Sequence, residues 1–247
     1  MNGWNAFLAC ALCLVLGIAF GIGFALLRPG SLRPLAKKLK LPDQNQEWFY
    51  QQTVAFHRRM DGCVPNNAVL FIGDSFVQGL CVSEVAANAI NYGIGGDTTE
   101  GVLARLAHYQ SLSRAGVVVV SVGENDLRKG RAPAEIVRNY RQIASQLPEK
   151  ISLFFCSMTP CTKSKAGPLN DAVMKLNPVL KELCESHPNC HFVDLNETVC
   201  GPDGFLLADF ADTDGSHLNA RGNRACIEKL RATLRELAPR VELAAAN

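Results

Sequence analysis

Between residues 68 and 195 the chain carries five short apolar runs, each bounded by turn-forming or polar residues. They are Ala68–Ile72, Ala89–Tyr92, Gly116–Val122, Ile151–Ser157 and His191–Leu195. Runs this short and this apolar suit strands that are buried on both faces, and such strands belong to parallel sheets. Helical patterns lie before, between and after them, at Gln46–Met60, Thr98–Gln110, Ala132–Leu147, Leu169–Ser186 and Asn219–Leu237. Pro178 marks a place for a kink or break in the fourth, and Asn219 is placed to cap the last. Strands alternating with helices predict an α/β fold, a doubly wound three-layer α/β/α sandwich on a five-stranded, mostly parallel sheet. In open sheets of this kind the ligand crevice lies beyond the carboxyl ends of the strands. The residues just after each strand therefore carry the functional reading.

The first strand runs into Gly73-Asp74-Ser75. A serine at a tight strand-to-helix turn projects its hydroxyl into the crevice, beside the free N–H groups of a helix start. Taken alone, the tripeptide is equally a turn with a cap. The second strand runs into Asn91-Tyr92-Gly93-Ile94-Gly95-Gly96-Asp97-Thr98. Its glycines permit close backbone approach and positive-φ corners. Asp97 is expected to cap the next helix, leaving the Gly96 N–H for a ligand. The segment has neither G-x-G-x-x-G nor Gly-Lys-Ser/Thr, which argues against a nucleotide loop. The third strand runs into Gly123-Glu124-Asn125-Asp126, where the Asn125 amide can donate to a developing oxyanion. Before the last helix stands Asp214-Gly215-Ser216-His217. Asp214 can hold the Nδ1–H of His217 and leave Nε2 free as a base. His57 and His108 fall in predicted helices and are expected at the surface or partly packed. His187 and His191 lack a supporting carboxylate motif. Arg128 and Lys129, just past Asn125, are weaker candidates for holding a phosphate or carboxylate of a substrate; a solvated face is the plainer reading.

Taken in order, the GDS block, the glycine loop, G-x-N-D and D-x-x-H resemble the four blocks of the SGNH (GDSL-type) hydrolases. The likeness covers residues 46–238, and the chain resembles the thioesterase/lysophospholipase branch. The stretch NYGIGGDTT looks like that of platelet-activating-factor acetylhydrolase-like esterases. The resemblance implies a flavodoxin-like sheet and a serine esterase working through an acyl-enzyme. It implies Ser75, His217 and Asp214 as catalytic residues, and Ser75, Gly96 and Asn125 as the oxyanion hole. It implies no metal and no organic cofactor. Glu124 departs from the pattern, since relatives often carry Gly or Thr there, and it is expected to alter the pocket. Two alternatives remain open: a carbohydrate O-acetyl esterase or acetyltransferase acting on an envelope polymer, and a non-catalytic membrane-tethered binding domain.

The chain has 247 residues, of which residues 3–27 carry no charged side chain. As a helix, that stretch would span a hydrocarbon core of about 30 Å. A signal peptide would have a basic start and a shorter apolar run, whereas MNGWN has no basic side chain. The expected organisation is thus a transmembrane anchor at 1–27, a basic Pro-containing linker at 28–45 and a hydrolase domain at 46–240. Arg28, Arg33, Lys37, Lys38 and Lys40 after the helix favour a cytoplasmic domain by the positive-inside rule. The resembled enzymes with apolar N-termini often act outside the inner membrane, which points the other way. The expected partners are the membrane and a small-molecule, lipid or acylated-sugar ester. A net charge of +2 gives no argument for nucleic acid. Of ten cysteines, Cys10 and Cys13 lie in the apolar stretch. The other eight contain no C-x-x-C pair and are open to two readings, disulfides or buried thiols.

Overall fold

The computed structural model describes residues 44–239. The expected anchor, and nearly all of the expected linker, lie outside the described residues. Among the described residues no helix is long and apolar enough to cross a membrane. The chain divides into two compact units between Phe49 and Tyr50. Of the first, only residues 44–49 are described, the opening of helix α1 (Gln44–Asp61). The second holds the sheet and everything that follows.

The five strands form where the apolar runs predict them: β1 (Val69–Gly73), β2 (Ala89–Gly93), β3 (Val117–Ser121), β4 (Ser152–Cys156) and β5 (Cys190–Val193). They form one sheet in the order β2-β1-β3-β4-β5, and all four pairings are parallel. This is the flavodoxin-like order, with its switch point between β1 and β3. Alternation along each strand sends side chains to two cores. Leu70, Ile72, Val118, Val120, Leu153 and Phe155 face a core completed by α3 (Thr99–Leu106), α5 (Pro133–Gln146) and α6 (Pro168–Glu185). Val69, Phe71, Val117, Val119, Phe154 and Val193 face a second core, completed by α8 (Ala220–Leu237). The sandwich therefore has three layers. Three short helices, α2 (Ser75–Gln78), α4 (Glu124–Arg128) and α7 (Asn196–Val199), start just past the ends of β1, β3 and β5.

Four local expectations need correction. Helix α3 ends at Leu106 rather than 110, so His108 lies in an exposed turn before a 3-10 segment at Gln110–Arg114. Its cap is Thr98, whose hydroxyl accepts from Gly101 N at 3.2 Å, not Asp97. His57 is buried, not superficial. Its Nδ1 lies 3.0 Å from the Tyr109 hydroxyl and its ring stands edge-on to Tyr92. Burial, reinforced by the Arg105 cation, pushes its pKa down to about 4 and keeps the ring neutral. Helix α6 continues through Pro178 without a break.

Asn219 caps α8 as expected and also holds the preceding loop. Its Oδ1 accepts from Arg221 N and Gly222 N at 2.9 and 3.0 Å. Its Nδ2 donates to the carbonyls of Asp209 and Ala211, both at 2.9 Å. Asn219→Ala is expected to lower stability by about 1–2 kcal/mol, towards the upper end for a cap because the loop bonds go too. A fall in the urea midpoint with an unchanged slope is the measurement.

Candidate active site

Every candidate block lies at the carboxyl end of the sheet. Asp74 opens the turn after β1: its Oδ1 accepts from Phe76 N at 3.0 Å, capping α2 and fixing Ser75 as the first helical residue. The Ser75 Oγ lies 2.9 Å from His217 Nε2, across 142 positions of sequence. On the other side of the ring, His217 Nδ1 lies 2.5 Å from Asp214 Oδ2. Asp214 Oδ1 accepts from the backbone N–H of Ser216 at 2.9 Å and of His217 at 3.0 Å. The hydrogen bond to His217, with those two amides, holds the Asp214 carboxyl down at about 2. An ionised carboxylate only accepts, so Nδ1 carries the proton and the bare Nε2 accepts from the Ser75 hydroxyl. The serine is thereby set to lose its proton to the imidazole. The Phe76 ring lies against His217, with centroids 5.6 Å apart, and limits its rotation.

Gly96 and Asn125, the expected oxyanion donors, lie on the turns after β2 and β3. Gly96 sits at φ 77°, a corner that a side chain would strain. Gly93 is needed for another reason: a Cβ there would meet Gln78 N at 2.2 Å, so the glycine loop packs directly on α2. Asn125 Nδ2 donates to the Asp97 carbonyl at 3.0 Å and lies 3.4 Å from Asp74 Oδ2. One amide hydrogen is firmly held. The other faces a long, weak contact beside the residue that precedes Ser75, where a stronger acceptor would compete for it.

Two residues that build this site are missing from the sequence-based candidates. Arg105 is fully buried. Its Nε donates to Asp97 Oδ2 at 2.8 Å, its Nη1 to Tyr92 O at 2.7 Å and Tyr109 Oη at 2.9 Å, and its Nη2 to Gly73 O at 3.0 Å. One guanidinium thus joins the end of β1, the end of β2 and the glycine loop. The available signal was an arginine on the apolar face of α3, between Val102 and Leu106. Asp126 is the other: its carboxylate accepts from Thr99 N at 2.9 Å and Thr99 Oγ1 at 2.7 Å, tying the Asn125 turn to the start of α3.

The weaker candidates sit at the rim. Arg128 Nη2 donates to Ser216 Oγ at 2.7 Å and lies 3.6 Å from Glu124 Oε2, so its head is turned towards the His217 loop. Lys129 Nζ donates to Gly96 O at 3.3 Å. Glu124 lies beside the site. It is buried, and with Asp74, Phe76, Ser121, Val122, Met158 and Thr159 it encloses a cavity of about 10 Å³, room for about one water. Burial, with Asp74 nearby, pushes its carboxyl well above the usual range. His187 and His191 lie at the start of β5, at the opposite end of the strands from Ser75. Among the described residues no cluster of three or more His, Cys, Asp or Glu side chains has a metal-binding arrangement.

Two outcomes follow from this geometry. Arg105→Met strips the cation from Asp97, whose side chain is only 2% exposed. A loss of about 3–5 kcal/mol in urea unfolding is expected, with Arg105→Lys recovering only part because an ammonium cannot span the same acceptors. The second outcome concerns Asp74, whose carboxyl burial pushes up to about 7. Between about pH 4 and 7 the folded chain then keeps a proton that the unfolded chain has released. This group's contribution is therefore greatest at low pH and declines as pH rises, by at most about 1.4 kcal/mol per unit. Asp74→Asn keeps an oxygen for the cap and removes the titration, so stability measured across that window should decline less steeply in the variant.

Residues 71–225 match the family model of the GDSL-like Lipase/Acylhydrolase family. The chain is 28% identical over 148 residues to the platelet-activating factor acetylhydrolase IB subunit alpha1 of Bos taurus, a match covering 56% of this chain and 62% of the relative. It is 32% identical over 149 residues to the alpha2 subunit of Gallus gallus, covering 56% and 63%. The match thus spans less than two thirds of these curated relatives. Among solved structures, a protein from Streptococcus pneumonia described provisionally as a platelet activating factor superposes with a TM-score of 0.72 at 21% identity, covering 81% of this chain and 99% of that one. A GDSL-like lipase from Bacteroides thetaiotaomicron gives 0.61 at 17% identity, covering 74% and 97%. The chain therefore belongs to the GDSL-like lipases and acylhydrolases, the SGNH family of ester-bond hydrolases.

Proposed function

We propose that this chain hydrolyses carboxylic esters through an acyl-enzyme on Ser75. The observation that carries the reading is the continuous line from Ser75 Oγ through His217 to Asp214. Ser75 Oγ attacks the ester carbonyl while its proton passes to His217 Nε2. Asp214 stabilises the imidazolium. The N–H groups of Ser75 and Gly96, with the second amide hydrogen of Asn125, receive the oxyanion, each donor worth about 2.7–4 kcal/mol when lost from comparable sites. Collapse expels the alcohol, which takes the proton from His217. A water then gives its proton to His217 and its oxygen to the acyl carbon, and Ser75 is restored.

Two substrate classes have separate support. An expected anchor at residues 3–27 would hold the site near lipid, which favours a lysophospholipid or other lipid ester. The names of the curated relatives, acetylhydrolases of platelet-activating factor, favour a short acyl group. An O-acetyl ester on a carbohydrate satisfies the second but not the first. On this reading the chain is membrane-held, with Arg128 at the rim near the headgroup or leaving alcohol.

The test is a panel of p-nitrophenyl esters from acetate to palmitate, with lysophospholipid and acetylated polysaccharide alongside. Turnover is expected, falling by about 10³-fold or more in Ser75→Ala, the scale lost when a nucleophile of this type is removed. Turnover unchanged by that substitution refutes the nucleophile; no turnover on any ester favours a binding domain. Activity confined to acetyl esters excludes the long-chain lipid class.

A further inference from the structure

The eight cysteines of the expected hydrolase domain are not equivalent. Cys184, near the end of α6, and Cys190, the first residue of β5, place their Sγ atoms 2.7 Å apart. No other Cys–Cys sulfur contact is seen among the described residues. Both side chains are buried, at 3% and 9% exposure. The five residues between them, Glu185–Asn189, make two successive tight turns: His187 N donates to Cys184 O at 3.0 Å, and Cys190 N donates to His187 O at 3.2 Å. Asn189 takes a positive φ of 60°, and its Nδ2 donates to Glu149 O at 2.6 Å. These bonds hold the two sulfurs face to face before any covalent link exists.

We propose that Cys184 and Cys190 are a redox-responsive dithiol that a small-molecule disulfide converts into an intramolecular disulfide. One protein thiol, deprotonated, attacks a sulfur of the small disulfide. A mixed disulfide forms and one small thiolate leaves. The second protein thiolate then attacks the protein sulfur of that mixed disulfide and expels the other small thiolate. The protein pair loses two electrons and two protons; the small disulfide gains both and ends as two thiols. Glu185, Ser186, Pro188 and Asn189 are exposed, so opening this one turn admits the oxidant. Burial of the sulfurs and the contact with Cys184, which raises the Cys190 thiol pKa, make the exchange slow. The link pins β5, an edge strand paired only with β4, to the helix that precedes it. An edge held in this way is less available for pairing with another chain.

The experiment uses the full folded chain, incubated with glutathione disulfide or with dithiothreitol, then unfolded, alkylated and mapped by mass spectrometry. In the oxidised sample a Cys184–Cys190 cross-link is expected, two hydrogen atoms lighter than the dithiol, with the buried Cys156, Cys161 and Cys226 and the half-buried Cys200 alkylated and the exposed Cys63 and Cys81 either alkylated or carrying glutathione. The melting temperature should rise by about 5 °C on oxidation, and that rise should vanish in Cys184→Ala/Cys190→Ala. Recovery of both cysteines alkylated, glutathione adducts without a cross-link, or a cross-link to a different cysteine each overturn the proposal. An unchanged melting temperature overturns the pinning. The readouts are mass and stability, so they stand apart from the esterase assignment; if the double variant does not fold, the map of the unsubstituted chain still decides.

Discussion

The arrangement around Ser75 depends on one buried cation. Arg105 donates to Gly73 O, Tyr92 O and Asp97, so the turn bearing the serine and the loop bearing Gly96 share one anchor. The sheet alone cannot set that relation. Parallel pairing fixes β1 against β2 up to Gly73 and Gly93, but past those residues the ladder ends and each chain could wander. A guanidinium has a planar fork of donors, and here the fork spans the gap. The desolvation cost of burying the charge is offset by a carboxylate, two carbonyls and a tyrosine hydroxyl. His57 belongs to the same unit: held neutral, it rests on Tyr109 and adds no second positive charge beside Arg105.

A second layer of support comes from β3. Tyr140 donates to Val122 O at 2.6 Å just before the Gly123 turn, and Asp126 holds the start of α3. Asn125 is therefore fixed from both sides. The last block arrives differently. Asp214 and His217 sit on a loop stretched between Thr162 N, which donates to Gly215 O at 2.8 Å, and the Asn219 cap. Ser75 and His217 thus come from opposite ends of the domain and meet only when the sheet and α8 are both in place.

Much of this was legible in the residues, and the limits have physical reasons. The five strands were visible because a two-faced burial demands unbroken apolar runs, and their ends differ from expectation by only one or two residues. The order of the strands was not visible in periodicity, since register between distant segments leaves no local trace; it entered through the four-block resemblance. The short helices after β1, β3 and β5 escaped notice because four or five residues show no amphipathic period. Arg105 was missed because an arginine on an apolar face reads as a surface residue until its acceptors are seen. His57 was misplaced for the complementary reason, since its burial comes from Tyr92 and Tyr109, both distant in sequence. Cysteine counting could not distinguish Cys184 and Cys190, because their contact comes from the turn between them.

The side chains of His217 and Asp214 remain 45% and 49% exposed. On the proposed reaction this has a bearing on what becomes of the acyl group. An enclosed base would have to import its second substrate and could select an alcohol over solvent. Here bulk solvent already reaches the imidazole edge at a concentration no dissolved acceptor can match. Transfer to a sugar or a lipid hydroxyl would need that acceptor to cover the ring and displace the solvent, and without such a cover the outcome of each turnover is the free acid.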